Sequence, residues 1–369
     1  MNFMKRERET LERLLPGLDE KLAQTSLDIL ESKESPALNW FRQSGGTSLL
    51  ISKALGGREV SVLDMLRIQR ALGSRSPSLA LATNMHTCSV VAIPKCEASD
   101  FILRSIAQNN LFIASGFAEG KVGTSIQKPA IEVERIPKGL RLNGYKRPCS
   151  LARTMDIFTA SALISEKNGE NKFAIVTVPA NTAGITVKPF GNQNFLAGAE
   201  NMEVHLENVI ISEKYVSYLG DEMTLSRELS YAFLWFELFV SASYLGTASL
   251  LLEKLYQSNR GSCETRMSIC SKLEMVMMAI EAGARSIMDG DMTENVIARS
   301  LIVRFEAQQI IVEAANCAAE QLGGIEYLSN FDVPYLLTVI RALAFHPPSK
   351  WVMSPYLDKF MQGNKLYIP

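Results

Sequence analysis

The hydrophobic pattern changes period twice along the chain, and this limits the fold more than any other feature. Residues 1 to 112 carry helical spacing over Glu7 to Leu15, Asp19 to Glu31, Ser61 to Leu72 and Leu79 to Val91. Breaks fall at Pro16-Gly17, Pro36, Gly45-Gly46 and Gly56-Gly57. Ser61 followed by Asp64 has capping-box spacing, so a helix is expected to start there. From 113 to 215 the texture is strand and turn. Ala130–Ile136 and Met202–Ile211 alternate, Leu140–Asn143 runs into an Asn143-Gly144 turn, and Phe158–Ile164, Phe173–Val178 and Thr186–Pro189 are short strands. Beyond about 222 only helices are expected: Ser226–Ser258, Met267–Met288, Glu294–Leu322 with Gly323-Gly324 as its stop, and Val333–Phe345 stopped by Pro347-Pro348. The expected class is α+β: an N-terminal helical domain (1–112), a middle β-barrel or sandwich (113–215) and a C-terminal four-helix bundle (216–369).

The bulk numbers narrow the function. With 47% hydrophobic and 21% charged residues the chain is built to fold. Thirty-eight basic residues against 39 acidic ones leave no electrostatic footprint for nucleic acid. The six cysteines are scattered without CxxC spacing, which argues for free thiols and against a zinc site. Ala232 to Leu252 holds Glu237 as its one charge, but also three serines and a threonine, and no second span accompanies it. A buried bundle helix is expected there, no membrane partner, and a cytoplasmic location.

Local motifs then give the order a meaning. Gly56-Gly57 before a helix that leads to Ser78-Leu79-Ala80, Leu142-Asn143-Gly144-Tyr145-Lys146, Asp156, the returning strand Val204–Ile211, Gln321-Leu322-Gly323-Gly324-Ile325-Glu326-Tyr327 and Arg341 occur in one sequence. In this order they resemble the acyl-CoA dehydrogenase superfamily over nearly the whole chain. The resemblance implies FAD, held with the help of a partner subunit in a homodimer or homotetramer. It implies Ser115 near the flavin ring, Ser150 at its N5 and O4 edge, Gly323 and Gly324 beside the adenine end, and Arg260 facing the pyrophosphate of the other subunit. The chain departs from the family where "TEPxxGSD" reads Ser115 to Thr124, and where Pro148 replaces a shielding Trp.

A thioester dehydrogenase needs a carboxylate to take the α-proton. The family's Glu after the last Arg is missing, because Arg341 to Lys350 contains no carboxylate. Glu237, flanked by Leu234, Trp235, Phe236, Leu238 and Phe239, is one substitute. Desolvation would raise its pKa and suit it to be a base, or it would pair with a buried Arg of the bundle. His346 before Pro347-Pro348 is the second, and His86 a weaker third. Cys149 beside Ser150 has no His or Asn motif around it and is read as packing. The missing Glu makes the chain similar to flavoproteins of polyketide and non-ribosomal peptide clusters. That branch, including its colibactin-type aminomalonyl-forming members, implies oxidation of a small acyl group held as a thioester on an acyl carrier protein, or else on CoA. The alternatives are a generic acyl-CoA dehydrogenase, a flavin monooxygenase of the same fold, an inactive binding subunit, or a membrane-associated helical protein.

Overall fold

The computed structural model describes residues 1–93, 97–119, 129–165, 171–191, 194–219 and 222–368, without the side chains of 97, 98 and 222–229. Cys96 and the 120–124 part of the departing loop lie outside the described residues. The helices before the sheets are α1 (Lys5–Leu14), α2 (Leu18–Ala23), α3 (Leu27–Leu30), α4 (Ala37–Gln43), α5 (Val62–Gly73), α6 (Pro77–Ala92) and α7 (Glu97–Asn109). The strands are β1 (Ile113–Gly116), β2 (Glu132–Ile136), β3 (Gly139–Cys149), β4 (Ile157–Ser165), β5 (Asn171–Pro179), β6 (Ile185–Pro189), β7 (Met202–Ile211) and β8 (Val216–Tyr218). After them come α8 (Glu222–Gln257), α9 (Cys263–Met288), α10 (Glu294–Leu322), α11 (Gly324–Ser329), α12 (Asp332–Val339) and α13 (Lys350–Met361). This is the expected class, with helical ends and a two-sheet middle.

Two compact units emerge, one of residues 1–37, 61–84 and 234–369, the other of residues 38–60 and 85–233. In the first, α5 begins where the capping pattern predicts, with the Ser61 hydroxyl accepting from Asp64 N. Ser262 and Ser349 cap α9 and α13 in the same way, each contributing about 1 kcal/mol. The single helix expected over 19–31 is two, because Ser26 takes extended backbone between them. The helix expected over 333–345 ends at Val339 and tightens into a 3-10 stretch to Phe345. α5 and α8 approach closely enough that a Cβ on Gly246 would strike the Arg70 carbonyl and one on Gly73 the Ser243 carbonyl. The stretch Ser230–Gln257 is long and apolar enough to cross a membrane, but 89% of its most apolar window is buried inside the protein.

The second unit holds two four-stranded sheets, in the orders β1-β4-β5-β8 and β2-β3-β7-β6. The sheets face each other through β1 and β4 against β3 and β2, so the middle region is a sandwich. The Asn143-Gly144 turn expected from the sequence is corrected. The hairpin turns at Pro137-Lys138, where Ile136 pairs with Gly139, and β3 runs unbroken through 143–144. Asn143 instead faces a one-residue bulge in β7, and its Oδ1 accepts from Asn208 N at 2.7 Å. The bulge flips the buried face of β7 from Val204 and Leu206 to Val209 and Ile211, with Glu207 and Asn208 exposed between them.

Candidate active site

In the strand-rich unit, β1 carries Ser115, which is buried and registers against Thr159 of β4. Arg147 N donates to Ala118 O, which lays the segment after β1 alongside the end of β3, and Ser150 is the residue that follows that strand. Ser150 Oγ donates to Asn201 Oδ1 at 2.7 Å. The turns on either side are locked by one carboxylate. Glu200 accepts from Arg153 N, Thr154 N and Thr154 Oγ1 at 3.1, 2.8 and 2.7 Å. Leu151, Leu196 and Glu200 are held at φ +63°, +56° and +56°, left-handed backbone that costs a non-glycine residue about 1 kcal/mol or more each. Such over-determined backbone is typical of a ligand clamp. Glu200 and Asn201 carry no motif, and only their place beside Ser150 reveals them.

His86 braces this unit and has no ring nitrogen left for proton transfer. Its Nδ1 accepts from Ile113 N at 3.1 Å, so Nε2 carries the hydrogen and donates to Thr47 O at 2.8 Å. Burial pushes its pKa down to about 4 and keeps it neutral. The expectation of a catalytic His86 is therefore corrected to a structural one. Cys149 is buried with its thiol pushed up to about 12 by desolvation, which bears out its reading as packing.

In the helical unit, Glu237 and His346 meet around a residue that the sequence reading anticipated only by type. Arg304, on α10, places Nε 3.1 Å from Glu237 Oε2, and both side chains are 1% exposed. Its other nitrogens donate to Pro348 O (2.8 Å), Leu343 O (3.1 Å) and His346 O (2.6 Å). The guanidinium thus fastens the segment after α12 to the bundle, a task for a planar fork of donors. Glu237 pairs with a buried Arg, the second of the two readings given for it. Desolvation raises its pKa to about 7 against the opposing pull of Arg304. The approach to Arg304 is not aligned as a hydrogen bond, and neither Glu237 oxygen has a hydrogen-bond partner. A buried polar atom left so costs about 1–3 kcal/mol, and more when charged.

His346 is half-buried with Nε2 3.0 Å from the Tyr244 hydroxyl and its ring edge-on to Phe236. Burial and the nearby Arg304 charge push its pKa down to about 3, so it is a neutral imidazole. Tyr244 is buried and its hydroxyl pKa is raised by desolvation. At the far end of α10, Arg260 donates to Leu322 O and lies beside Gly323, whose φ of +86° ends the helix. No atom approaches within 4 Å of where a Gly324 Cβ would stand. Arg260, Gly323 and Gly324 therefore form one bare, cationic corner. That donor set fits an anionic nucleotide end, and Ser150 in its clamped turn fits the polar edge of a ring system. Among the described residues, no cluster of His, Cys, Asp or Glu fits a metal ion.

No family profile matches the chain. It is 35% identical, over the full length of both proteins, to isobutylamine N-hydroxylase of Streptomyces viridifaciens. It is 22% identical over 56% of its length, and 55% of the relative's, to the putative acyl-CoA dehydrogenase YdbM of Bacillus subtilis. Among solved structures, FMN-bound TdsC of Paenibacillus sp. A11-2 superposes with a TM-score of 0.85 at 15% identity, covering 99% of each chain. The prolyl acyl carrier protein oxidase AnaB gives 0.80 at 18% identity over 97% of this chain and 99% of its own. The FAD complex of PigA gives 0.79 at 17% identity over 98% of both. With a sandwich between helical ends, an FAD-bound neighbour of the same fold and a full-length hydroxylase relative, the chain belongs to the acyl-CoA dehydrogenase-like flavoproteins and is an FAD-dependent oxidoreductase.

Proposed function

We propose that this flavoenzyme is a monooxygenase that hydroxylates the nitrogen of a small primary amine. The observation that carries the reading is the carboxylate inventory of the helical unit. The 341–350 segment, where the family resemblance places the base for a thioester α-proton, has none. A monooxygenase needs no such base, and the full-length relative is named as an amine N-hydroxylase. The overall reaction takes an amine, dioxygen and reduced flavin to a hydroxylamine, water and oxidised flavin, and it balances.

Ser115 and Ser150 would meet the flavin ring. Arg260, Gly323 and Gly324 would meet the nucleotide end, serving a partner's cofactor in the manner the family resemblance implies. Reduced FAD, when bound, supplies the electron pair that activates dioxygen. Of the chain's own residues, the Glu200 clamp would keep the ring edge in register. The same reading makes the protein a cytoplasmic homodimer or homotetramer.

The test is to supply the purified protein with reduced FAD in air and with isobutylamine, and to follow the product by mass. A product heavier by one oxygen supports the reading. The opposing result comes from anaerobic mixing of the oxidised enzyme with small acyl thioesters on carrier protein or CoA. Bleaching of the flavin there, without any reductant, would make the enzyme a thioester dehydrogenase and overturn the proposal.

A further inference from the structure

Resting on that reading and deepening it, we propose that Glu237 is the residue that receives the substrate's ammonium group and takes a proton from it. The nitrogen can capture an oxygen atom only with a free lone pair, whereas an alkylammonium, like a lysine side chain, releases its proton only near pH 10.4. The enzyme must therefore remove that proton before the oxygen transfer at neutral pH.

Glu237 is the group equipped for this. Its carboxylate is 1% exposed, and both oxygens lack a hydrogen bond although their neighbour Arg304 lies 3.1 Å away. An ionised carboxylate offers about four acceptor directions, so those left open match a donor of three N–H bonds. Its neighbours in sequence, Leu234, Leu238 and Phe239, are buried and apolar, which keeps water from the carboxylate. The step is a plain transfer: the N–H bond of R–NH3+ breaks, an O–H bond forms on Glu237, and R–NH2 and a neutral carboxylic acid result. Arg304 tolerates that loss of its counter-charge because three carbonyl oxygens still accept from it.

The neighbouring titratable and charged groups agree with this role. Arg304 comes from α10, while neutral His346 and Tyr244 bond to each other and leave the carboxylate untouched. Glu31 acts on Tyr244, and its own carboxylate is engaged by Ser76, Ser78 and Tyr335. A carboxylate titrating at about 7 is half ionised at neutral pH, and so matched to accept protons there.

The experiment compares FAD-loaded wild type, Glu237→Gln and Glu237→Asp with isobutylamine as the probe, from pH 5.5 to 10. Wild-type kcat/KM is expected to rise with pH through about 7. Glu237→Gln is expected to fall about 100-fold at pH 7 and to keep only the rise near pH 10 that belongs to the amine itself. Glu237→Asp keeps a carboxylate, and should retain a displaced rise and intermediate activity. A Glu237→Gln enzyme that stays within threefold of wild type, with the rise at pH 7 intact, would overturn the inference while leaving amine hydroxylation in place. If Glu237→Gln does not fold, Glu237→Asp decides, since an unshifted rise there sinks the assignment. Wild type that hydroxylates no amine and bleaches with thioesters defeats the underlying reading instead.

Discussion

Among the described residues, each unit holds one pair of opposite charges with both side chains at most 2% exposed, and the two pairs are finished differently. In the strand-rich unit Lys146 meets Glu119, both nearly inaccessible. The lysine also reaches Ser161, and Glu119 Oε2 accepts from Ala130 N. Every polar atom of that pair has a partner. In the helical unit Arg304 satisfies three carbonyls but leaves Glu237 with two bare oxygens. A protein tolerates an unfinished buried charge where something else completes it, and finishes one that only holds the fold together. The contrast separates scaffold from site more clearly than burial does, since all four side chains are buried.

Substitution of Lys146 by Met breaks the comparison hardest. It strands Glu119 without its countercharge, and the loss expected is about 3–5 kcal/mol, read as a fall in Tm. The double change Lys146→Met with Glu119→Leu should recover most of that loss, because an apolar pair of similar volume is close to neutral. Arg304→Met follows, at about 3 kcal/mol from three carbonyls left without a donor. It also removes the charge that holds the Glu237 pKa down, so the rise in kcat/KM should move to higher pH. A rise that stays in place would show that Arg304 serves the fold alone.

The next prediction sharpens the contrast through pH. His86 has a folded pKa near 4 against 6.5 unfolded, so its contribution is full above 6.5 and is lost as pH falls towards 4. Glu237 runs the other way: its raised pKa gives stability present below 4.5 and lost as pH rises to about 7. The two oppose each other across the same window. His86→Asn should expose the Glu237 trend and change the slope of stability against pH by about 2–3 kcal/mol between pH 4 and 7, measured by denaturant melts. The smallest effect concerns the surface. Met267, Met275 and Met278 stand exposed on one face of α9. Met275→Glu should change monomer stability by less than about 0.5 kcal/mol. If that face joins copies of the chain, light scattering will register the change as dissociation.

Much of the fold could be read from the residues because periodicity and caps are local. Ser61 and Asp64 mark α5, and strands β4 to β7 lie close to their expected places. The rest depends on tertiary context. α4 is only seven residues long, too short for a period to show, and Asn143-Gly144 looks like a turn until Asn208 opposite it takes up the slack. In the site, Glu237 stood out as a lone charge in an apolar helix, and its need for an Arg partner followed from burial. Arg304 itself was hidden, as one of two arginines in its helix. The identities of Glu200 and Asn201 were not legible, since the need for them arises only when two distant turns meet.

The pairing of β3 with β7 contains two one-step offsets of opposite sense, one in β7 at 207–208 and one in β3 at 147–148, after which Cys149 is again level with Met202. Ser150 reaches Asn201 only because these offsets cancel. Deleting Asn208 alone would leave the ladder out of step at its far end and turn the serine hydroxyl away, so in this hairpin of distant strands a lost residue is tolerated only if its counterpart is lost with it.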